Sequence, residues 1–270
     1  MEIKIHQIYY DKKTKEDIDP AFIPLNNENM MGKEWYEFLP ILKYFKENKP
    51  HKDIWYGFLS PKFKAKTGLD GKEITQIIKE NDQRASVLLA SPEWDQIAYF
   101  KNTFEQGDFC HSGLSNLTKI FLSKNQINID IDHIVNDSSN AVFSNYIIAK
   151  GDYWKDWLRL ADSFYKFSQE SADMQKLSKG KFYKDYPLKV FIQERFPSLL
   201  LYGNKYPTIN IDMSKIAPIN EFLFENNELT RSKLIYCDQL KKEFNRTKKA
   251  KYYDEYLQVK KQIFFRNPKI

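Results

Sequence analysis

The order in which strand-like and helix-like runs alternate along the N-terminal part of this chain constrains its fold more than any other feature. Ile3 to Tyr10 is β-rich and ends in a charged turn, which reads as a first strand. Glu34 to Asn48, EWYEFLPILKYFKEN, carries apolar residues at helical spacing, with Pro40 marking a kink or a late helix start. Asp53 to Ser60, DIWYGFLS, is an apolar run of strand length, and Pro61 and a basic loop with Lys62, Lys64 and Lys66 follow it. Glu73 to Glu80 reads as a short helix and Ala85 to Ala90, ASVLLA, as a buried strand. Strand, helix, strand, helix, strand predicts an α/β domain.

Further on, Trp94 to Phe109 is helical in pattern with Gly107 as its stop, and His111 to Leu122 reads as another helix with Ser112 as its cap. Val142 to Ala149 is strand-like and leads into a Trp-rich helix over Asp152 to Phe167, and a last helix covers residues 188 to 201. The alternation ends there, which places one catalytic core at residues 1–205. Beyond it, Thr208 to Met213 is short and β-like, and Thr230 to Phe244 and Lys251 to Phe264 read as two amphipathic helices. Residues 206–270 are therefore expected to form a helical C-terminal extension packed on the core. Lys241, Lys242, Arg246, Lys248, Lys249, Lys251, Lys260 and Lys261 make it basic. Such a run reads either as solvated helix faces or as a surface for anionic lipid or a phosphate-bearing acceptor.

Composition narrows the function classes. A chain of 270 residues, 16% of them aromatic, can bury a sizeable core. The net charge of +6 is too thinly spread for a dedicated nucleic-acid binder. Cys110 and Cys237 stand far apart without metal-ligand spacing, so neither a disulfide framework nor a zinc site is expected, and a reducing cytoplasm is the default. The N-terminal apolar run is too short for a signal peptide, and no apolar run has the length of a membrane span. GxGxxG, GxxxxGK[ST] and GxSxG are all missing, which argues against nicotinamide enzymes, kinases and α/β-hydrolases.

Two runs carry polar groups that burial alone would not choose: Ser144, Asn145 and Lys150 in AVFSNYIIAKGDYWKDWL, and Glu194 and Arg195 in PLKVFIQERFPSLLL. The first resembles the strand and helix of bacterial GT-A-type glycosyltransferases, and the second is similar to a later helix of those proteins. The pieces IHQIYYD, DPAFIPLNN, YGFLSPKFKAKTGL, DQIAYFKNTFEQGDF and HSGL also resemble proteins of bacterial capsule and lipopolysaccharide clusters. This resemblance implies a single GT-A-like, Rossmann-like domain that binds a nucleotide-diphosphate sugar. It also implies a saccharide or lipid-linked saccharide acceptor, in the cytoplasm or at the inner face of its membrane. Such proteins often hold Mn²⁺ or Mg²⁺ on an Asp-X-Asp motif. Here SVLLASPEWD presents Ala90 and Ser91 at the corresponding strand end, and the literal Asp-X-Asp is Asp130-Ile131-Asp132. A metal on Asp130 and Asp132 and a metal-independent mechanism both stay open.

Breaking the bond from an anomeric carbon to a diphosphate needs a counter-charge for the leaving group, and a base for the acceptor hydroxyl if the reaction inverts. Lys62, Lys64 and Lys66, in a loop at the carboxyl end of a strand, fit the first role or form a solvated basic loop, and Arg195 fits it if its helix faces the cleft. Glu194, Asp95, Glu105 and Asp137 are the carboxylates beside buried runs; Glu194, Asp95 and Asp137 are expected as catalytic groups and Glu105 as a binding group, with a buried ion pair or a helix cap as the structural alternatives. His111 at a loop-to-helix junction is expected to donate to a phosphate or sugar hydroxyl. Ser144 and Asn145, on an apolar strand, are expected to meet sugar hydroxyls, and Tyr9, Tyr10 and Trp35 either to stack on a base or sugar or to belong to the core. Asp130 and Asp132, alternating with Ile129 and Ile131, would share one strand face and one cation. Another group transferase of the same pathway, and a non-catalytic glycan-binding or scaffold protein, are the alternatives.

Overall fold

The computed structural model describes residues 1–28, 33–143, 145–175 and 186–266. Its framework is a mixed six-stranded sheet with helices packed against it, so the chain is α/β. The strands are β1 (Glu2–Tyr9), β2 (Ile23–Asn26), β3 (Ile54–Leu59), β4 (Val87–Leu89), β5 (Ile147–Lys150) and β6 (Thr208–Asn210), in spatial order β2-β1-β3-β5-β4-β6. β5 runs antiparallel to β3 and β4, and every other pairing is parallel. Five strands thus end at one edge of the sheet. From β1 the chain crosses first to β2 on one side and then to β3 on the other, which makes the gap at the carboxyl ends of β1 and β3 a topological switch point.

Local sequence explains the best-defined helices. In Phe38–Glu47 the buried residues Phe38, Ile41, Leu42 and Phe45 recur at helical spacing, and Pro40 sits in the first turn, where its missing N–H costs nothing. Gly71–Asn81 opens with a reciprocal capping box: Asp70 accepts from the Lys72 and Glu73 amides, and Glu73 accepts from the Asp70 amide at 2.8 Å. Gly151–Glu170 buries Tyr153, Trp154, Trp157, Leu160, Ala161, Phe164 and Phe167 on one stripe. The Trp154 indole N–H donates to the Tyr56 and Ala149 carbonyls, both at 3.1 Å, and so ties this helix to β3 and β5.

Elsewhere the elements break where single residues intervene. The helical pattern over residues 94 to 109 forms two helices, Trp94–Tyr99 and Thr103–Cys110, because the Asn102 side chain accepts from the Phe104 and Glu105 amides and starts a new helix. Gly107, expected as the stop, lies inside the second; a Cβ there would come within 2.9 Å of both Arg195 Nε and Leu114 Cδ2. The next helix is Leu114–Lys124, three residues later than expected, with Gly113 at its N-cap and His111 closing the helix before it. The strand expected over Val142 to Ala149 is confined to β5, because Asn145 adopts φ 56°, a left-handed turn that asparagine tolerates. The expected helix over 188 to 201 is two, Leu188–Gln193 and Phe196–Leu200, separated at Glu194 and Arg195.

The segment after residue 205 begins inside the sheet, since β6 pairs in parallel with β4. Its helices Glu228–Thr247 and Ala250–Lys261 then pack on the Trp94–Tyr99 region. Buried Lys241 donates to the carbonyls of Ile97 and Phe100, and the Tyr256 hydroxyl donates to the Tyr99 carbonyl at 2.8 Å.

Gly151 gives a direct test of the β5-to-helix junction, because a Cβ on it would lie 2.2 Å from the His51 carbonyl oxygen, a backbone atom with little freedom to withdraw. Gly151→Ala is expected to destabilise the protein by about 1–3 kcal/mol. Urea denaturation would measure this, and an unchanged midpoint would show that the junction is looser than its packing.

Candidate functional site

The carboxyl edge of the sheet opens into a cavity of about 900 Å³. Tyr10 enters it from the end of β1, Asn27 and Glu28 from β2, Ser60 and Pro61 from β3, and Glu93 and Gln96 from beyond β4. Tyr146 and Phe143 come from just before the antiparallel β5, and Asn220 and Phe222 from the loop after β6. The segments around residues 106–111 and 186–195 close the remaining side. The cavity therefore sits where the crossover order predicts a ligand crevice.

Glu194 is its most unusual group. It stands at the break between the two helices of the 188–200 segment and lines the cavity, and its carboxylate makes no hydrogen bond or ion pair with the described residues. Burial pushes its carboxyl up to about 7, Glu37 and Glu93 add to the rise, and Arg195 and Lys66 oppose it. Arg195, beside it, is only 2% exposed. Its guanidinium donates to the Thr103 carbonyl at 2.8 Å, the Phe191 carbonyl at 2.5 Å and Gln106 Oε1 at 2.6 Å. Gln106 in turn donates to Gln96 Oε1 at 2.9 Å. Arg195 also lines the cavity, but three of its N–H donors are committed to protein acceptors, which makes it a joint between helices.

Two further cations come from the strand β3 exit. A short helix, Phe63–Thr67, stands in place of the expected loop; Lys62 at its N-cap and Lys66 in its last turn line the cavity, whereas Lys64 does not. Lys66 Nζ lies 3.4 Å from Glu93 Oε1, while Glu93 Oε2 is buried with no hydrogen-bond partner among the described residues. Tyr10 donates to Glu37 Oε1 at 2.6 Å, and the Ser60 and Tyr146 hydroxyls are 2.8 Å apart. His111 lines the cavity with its ring stacked on Phe191 at 3.4 Å; burial, helped by Arg195, lowers its imidazole to about 3. It is neutral at physiological pH and acts there as a polar aromatic surface, not a cationic one.

The remaining expected site residues lie elsewhere. Asp95 is buried under the cavity, not lining it, and accepts from the Gln96 amide at 2.8 Å and the Asn220 amide at 2.6 Å; burial raises its carboxyl to about 6. It anchors the loop that carries Phe222. Asp137 accepts from the Ser139 amide and from Asn245 Nδ2, both at 2.8 Å, and holds the C-terminal helix to the core. Glu105 accepts from Lys260 at 2.9 Å on the outer surface. Tyr9 packs inside the sheet with Lys15 over its ring, and its neighbour Tyr10 takes the cavity position. Asn145 is in the turn before β5, outside the lining, and Ser144 lies outside the described residues.

Asp130 and Asp132 do not share a strand face. They sit on an exposed turn, where Asp130 contacts His133 Nδ1 at 2.6 Å and Asp132 pairs with Lys119 at 2.5 Å. Among the described residues no group of three His, Cys, Asp or Glu side chains is placed to hold a metal ion. The cavity also contains groups that the sequence did not single out: Glu37, Glu93, Tyr36, Tyr186, Tyr146 and Gln106. The one usable signal for them was position just past a strand end, which Glu93 shares with Tyr10 and Lys62.

Comparison of the chain with protein-family models, with curated proteins and with solved structures finds no match.

The Glu194 carboxyl makes a stability prediction that does not depend on activity. Its folded value of about 7 exceeds the ordinary 4.5, so between those values the folded chain keeps a proton that the unfolded chain has released. Its contribution to stability falls as pH rises through that window, and the full cost persists above it. Glu194→Gln is therefore expected to be more stable than the wild type at pH 8, with the difference vanishing at pH 4. Urea midpoints at the two pH values measure this; equal midpoints at pH 8 would mean the carboxylate is well solvated.

Proposed function

We propose that this chain is a nucleotide-sugar-dependent glycosyltransferase of GT-A-like type, with a bacterial surface saccharide or its lipid-linked precursor as acceptor. The observation that carries the reading is Glu194, a desolvated carboxylate without a side-chain partner among the described residues, in the same cavity as Lys62 and Lys66 at the switch point of an α/β sheet. A carboxyl poised near neutrality suits a general base. In this reading Glu194 takes the proton of the acceptor hydroxyl as its oxygen bonds to the anomeric carbon. The bond from that carbon to the diphosphate breaks, and its electron pair leaves on the phosphate oxygen, where Lys62 and Lys66 offset the charge. A Mn²⁺ or Mg²⁺ ion carried in on the diphosphate is the other source of counter-charge.

A place at the inner face of the cytoplasmic membrane belongs to the same proposal. Among the described residues no helix is long and apolar enough to cross a membrane. The segment after residue 205, however, combines its lysines with exposed Phe222, Leu229 and Phe264, a pairing of charge and apolar surface that favours an anionic lipid interface.

Calorimetry with a panel of nucleoside diphosphates and their sugars, each with Mn²⁺ and with chelator, tests the donor site. One nucleotide is expected to bind selectively, and Lys66→Ala to weaken it about tenfold or more. With donor and acceptor in hand, Glu194→Gln is expected to bind the donor as the wild type does and to lose turnover by about 10²–10⁴-fold. The wild-type kcat/KM should rise with pH through about 7, a limb absent from the variant. Failure of every nucleotide to bind would remove the transferase reading, and unchanged turnover in the variant would remove Glu194 from the mechanism.

A further inference from the structure

Positive charge is concentrated at one turn of the chain. Arg246, Lys248, Lys249 and Lys251 fall within residues 246–251, in a protein whose net charge is +6. This turn joins Glu228–Thr247 to Ala250–Lys261, and all four residues are exposed. The two helices run antiparallel, since the Phe244 and Tyr253 rings meet at 5.3 Å, the Tyr236 hydroxyl donates to Glu255, and Lys233 donates to the Gln262 carbonyl at 3.1 Å. The cations therefore occupy the tip of a helical hairpin.

Two features separate this tip from ordinary solvated helix ends. The carboxylates of the hairpin are matched elsewhere: Glu243 takes the Arg246 guanidinium at 3.1 and 2.6 Å, and Asp238 pairs with Lys242 at 2.8 Å. Lys248, Lys249 and Lys251 are left with no ion pair among the described residues, Asp254 one turn beyond included. The second feature is Lys248 itself, which closes the long helix at φ 56°, a left-handed position that favours glycine or asparagine. A lysine there costs stability that glycine would not, and its ammonium forms no ion pair within the fold in return.

The kind of partner follows from the cations and what lies under them. The fork of Arg246 is already occupied, which leaves lysines, point charges without the geometry to single out one phosphate. Their stems run over aromatic rings: Lys248 Nζ is 5.7 Å from the centre of Phe244, and Lys251 Nζ is 4.8 Å from that of Tyr252. Phe244, Tyr252 and Tyr253 are half-buried. None of these residues lines the cavity. Diffuse positive charge over a layer of partly exposed aromatics suits the headgroup region of an anionic bilayer, where tyrosine and lysine both settle.

We infer that the hairpin tip, through Lys248, Lys249 and Lys251, is the contact by which the protein docks on an anionic phospholipid surface. The inference rests on the membrane placement proposed above and names the patch that makes the contact; it does not depend on the transferase chemistry. Leu229, in the first turn of the long helix, is about 30 Å from the tip along the helix axis, and Phe264 follows the end of the second helix. Charged and exposed apolar surfaces are therefore at opposite ends of the hairpin and can be altered separately.

Co-sedimentation with vesicles of mixed phosphatidylglycerol and phosphatidylcholine, and with vesicles of phosphatidylcholine alone, tests this. The wild-type chain is expected to bind the anionic vesicles and not the neutral ones, and to be released as salt is raised, a readout that needs no variant. Lys248→Gln, Lys249→Gln and Lys251→Gln combined should weaken partitioning about 100-fold, or about fivefold for each lysine. Arginine at the same three positions should restore it to within about threefold, since charge and not a specific fork is at work. Equal binding to neutral vesicles, tighter binding to duplex DNA than to the anionic vesicles, or full binding by the glutamine variant would overturn the tip. If the glutamine variant binds fully while Leu229→Ser with Phe264→Ser does not, the membrane placement stands and the contact moves to the other end of the hairpin. No vesicle binding by the wild type would remove tip and placement together. Lysine-dependent vesicle binding without nucleotide binding would leave the tip standing and remove the transferase.

Discussion

The arrangement of the site depends on the burial of Arg195. A guanidinium withdrawn from water is costly unless its donors are satisfied. Here they are met by two main-chain carbonyls and a glutamine that belong to the helices Thr103–Cys110 and Leu188–Gln193, and Gln106 relays the network to Gln96 on Trp94–Tyr99. Three helices on one side of the cavity therefore share a single cation, and moving any of them would strand a buried charge. Gly107 is part of the same requirement, since a side chain there would occupy the space of the guanidinium. Glu194 borrows its position from this joint, being the residue before it at the break between two helices.

A second buried cation does for the C-terminal segment what Arg195 does for the cavity. Lys241, on the long helix Glu228–Thr247, reaches the carbonyls of Ile97 and Phe100 at the end of Trp94–Tyr99, and burial lowers its ammonium to about 8. Carbonyl oxygens at a helix C-terminus are natural partners for positive charge. Because Asp137, Asn245 and Tyr256 add further ties across the same contact, and because β6 completes the sheet, the last part of the chain is structurally continuous with the first. It also supplies Asn220, Phe222 and Leu223 to the cavity rim, so the site is not built from residues before 205 alone.

Periodicity made much of the fold legible: the buried stripe of Gly151–Glu170, a helix over Glu73 to Glu80 and the strands β1 and β3 are readable from side-chain spacing, whereas the Asp70 cap and the parallel pairing are not. The breaks did not, because each is set by one local hydrogen bond or dihedral, as at Asn102, Asn145 and Glu194. β6 was visible only as a short β-like run, since the partner that places it in the sheet is β4, far away in sequence. In the site, Lys62, Lys66, His111, Glu194 and Arg195 were legible as polar outliers beside apolar runs. Glu37, Glu93, Tyr36 and Tyr186 were not, because their convergence is a consequence of crossover order, which no single segment encodes.

Asp95 and Glu194 show why a polar outlier in sequence does not announce its role. Both carboxyls are raised chiefly by burial, to about 6 and about 7. Asp95 recovers part of that cost from two backbone amides, and the return is structural, since one of them fixes the loop after β6. The Glu194 carboxylate is offset by the fields of Arg195 and Lys66 and has no hydrogen bond among the described residues. A carboxyl held at a net loss on the wall of a cavity gains nothing for stability and marks a candidate functional group. In the proposed function its missing donors are supplied by the acceptor hydroxyl, so that the cavity, and not the fold around it, would account for the charge at position 194.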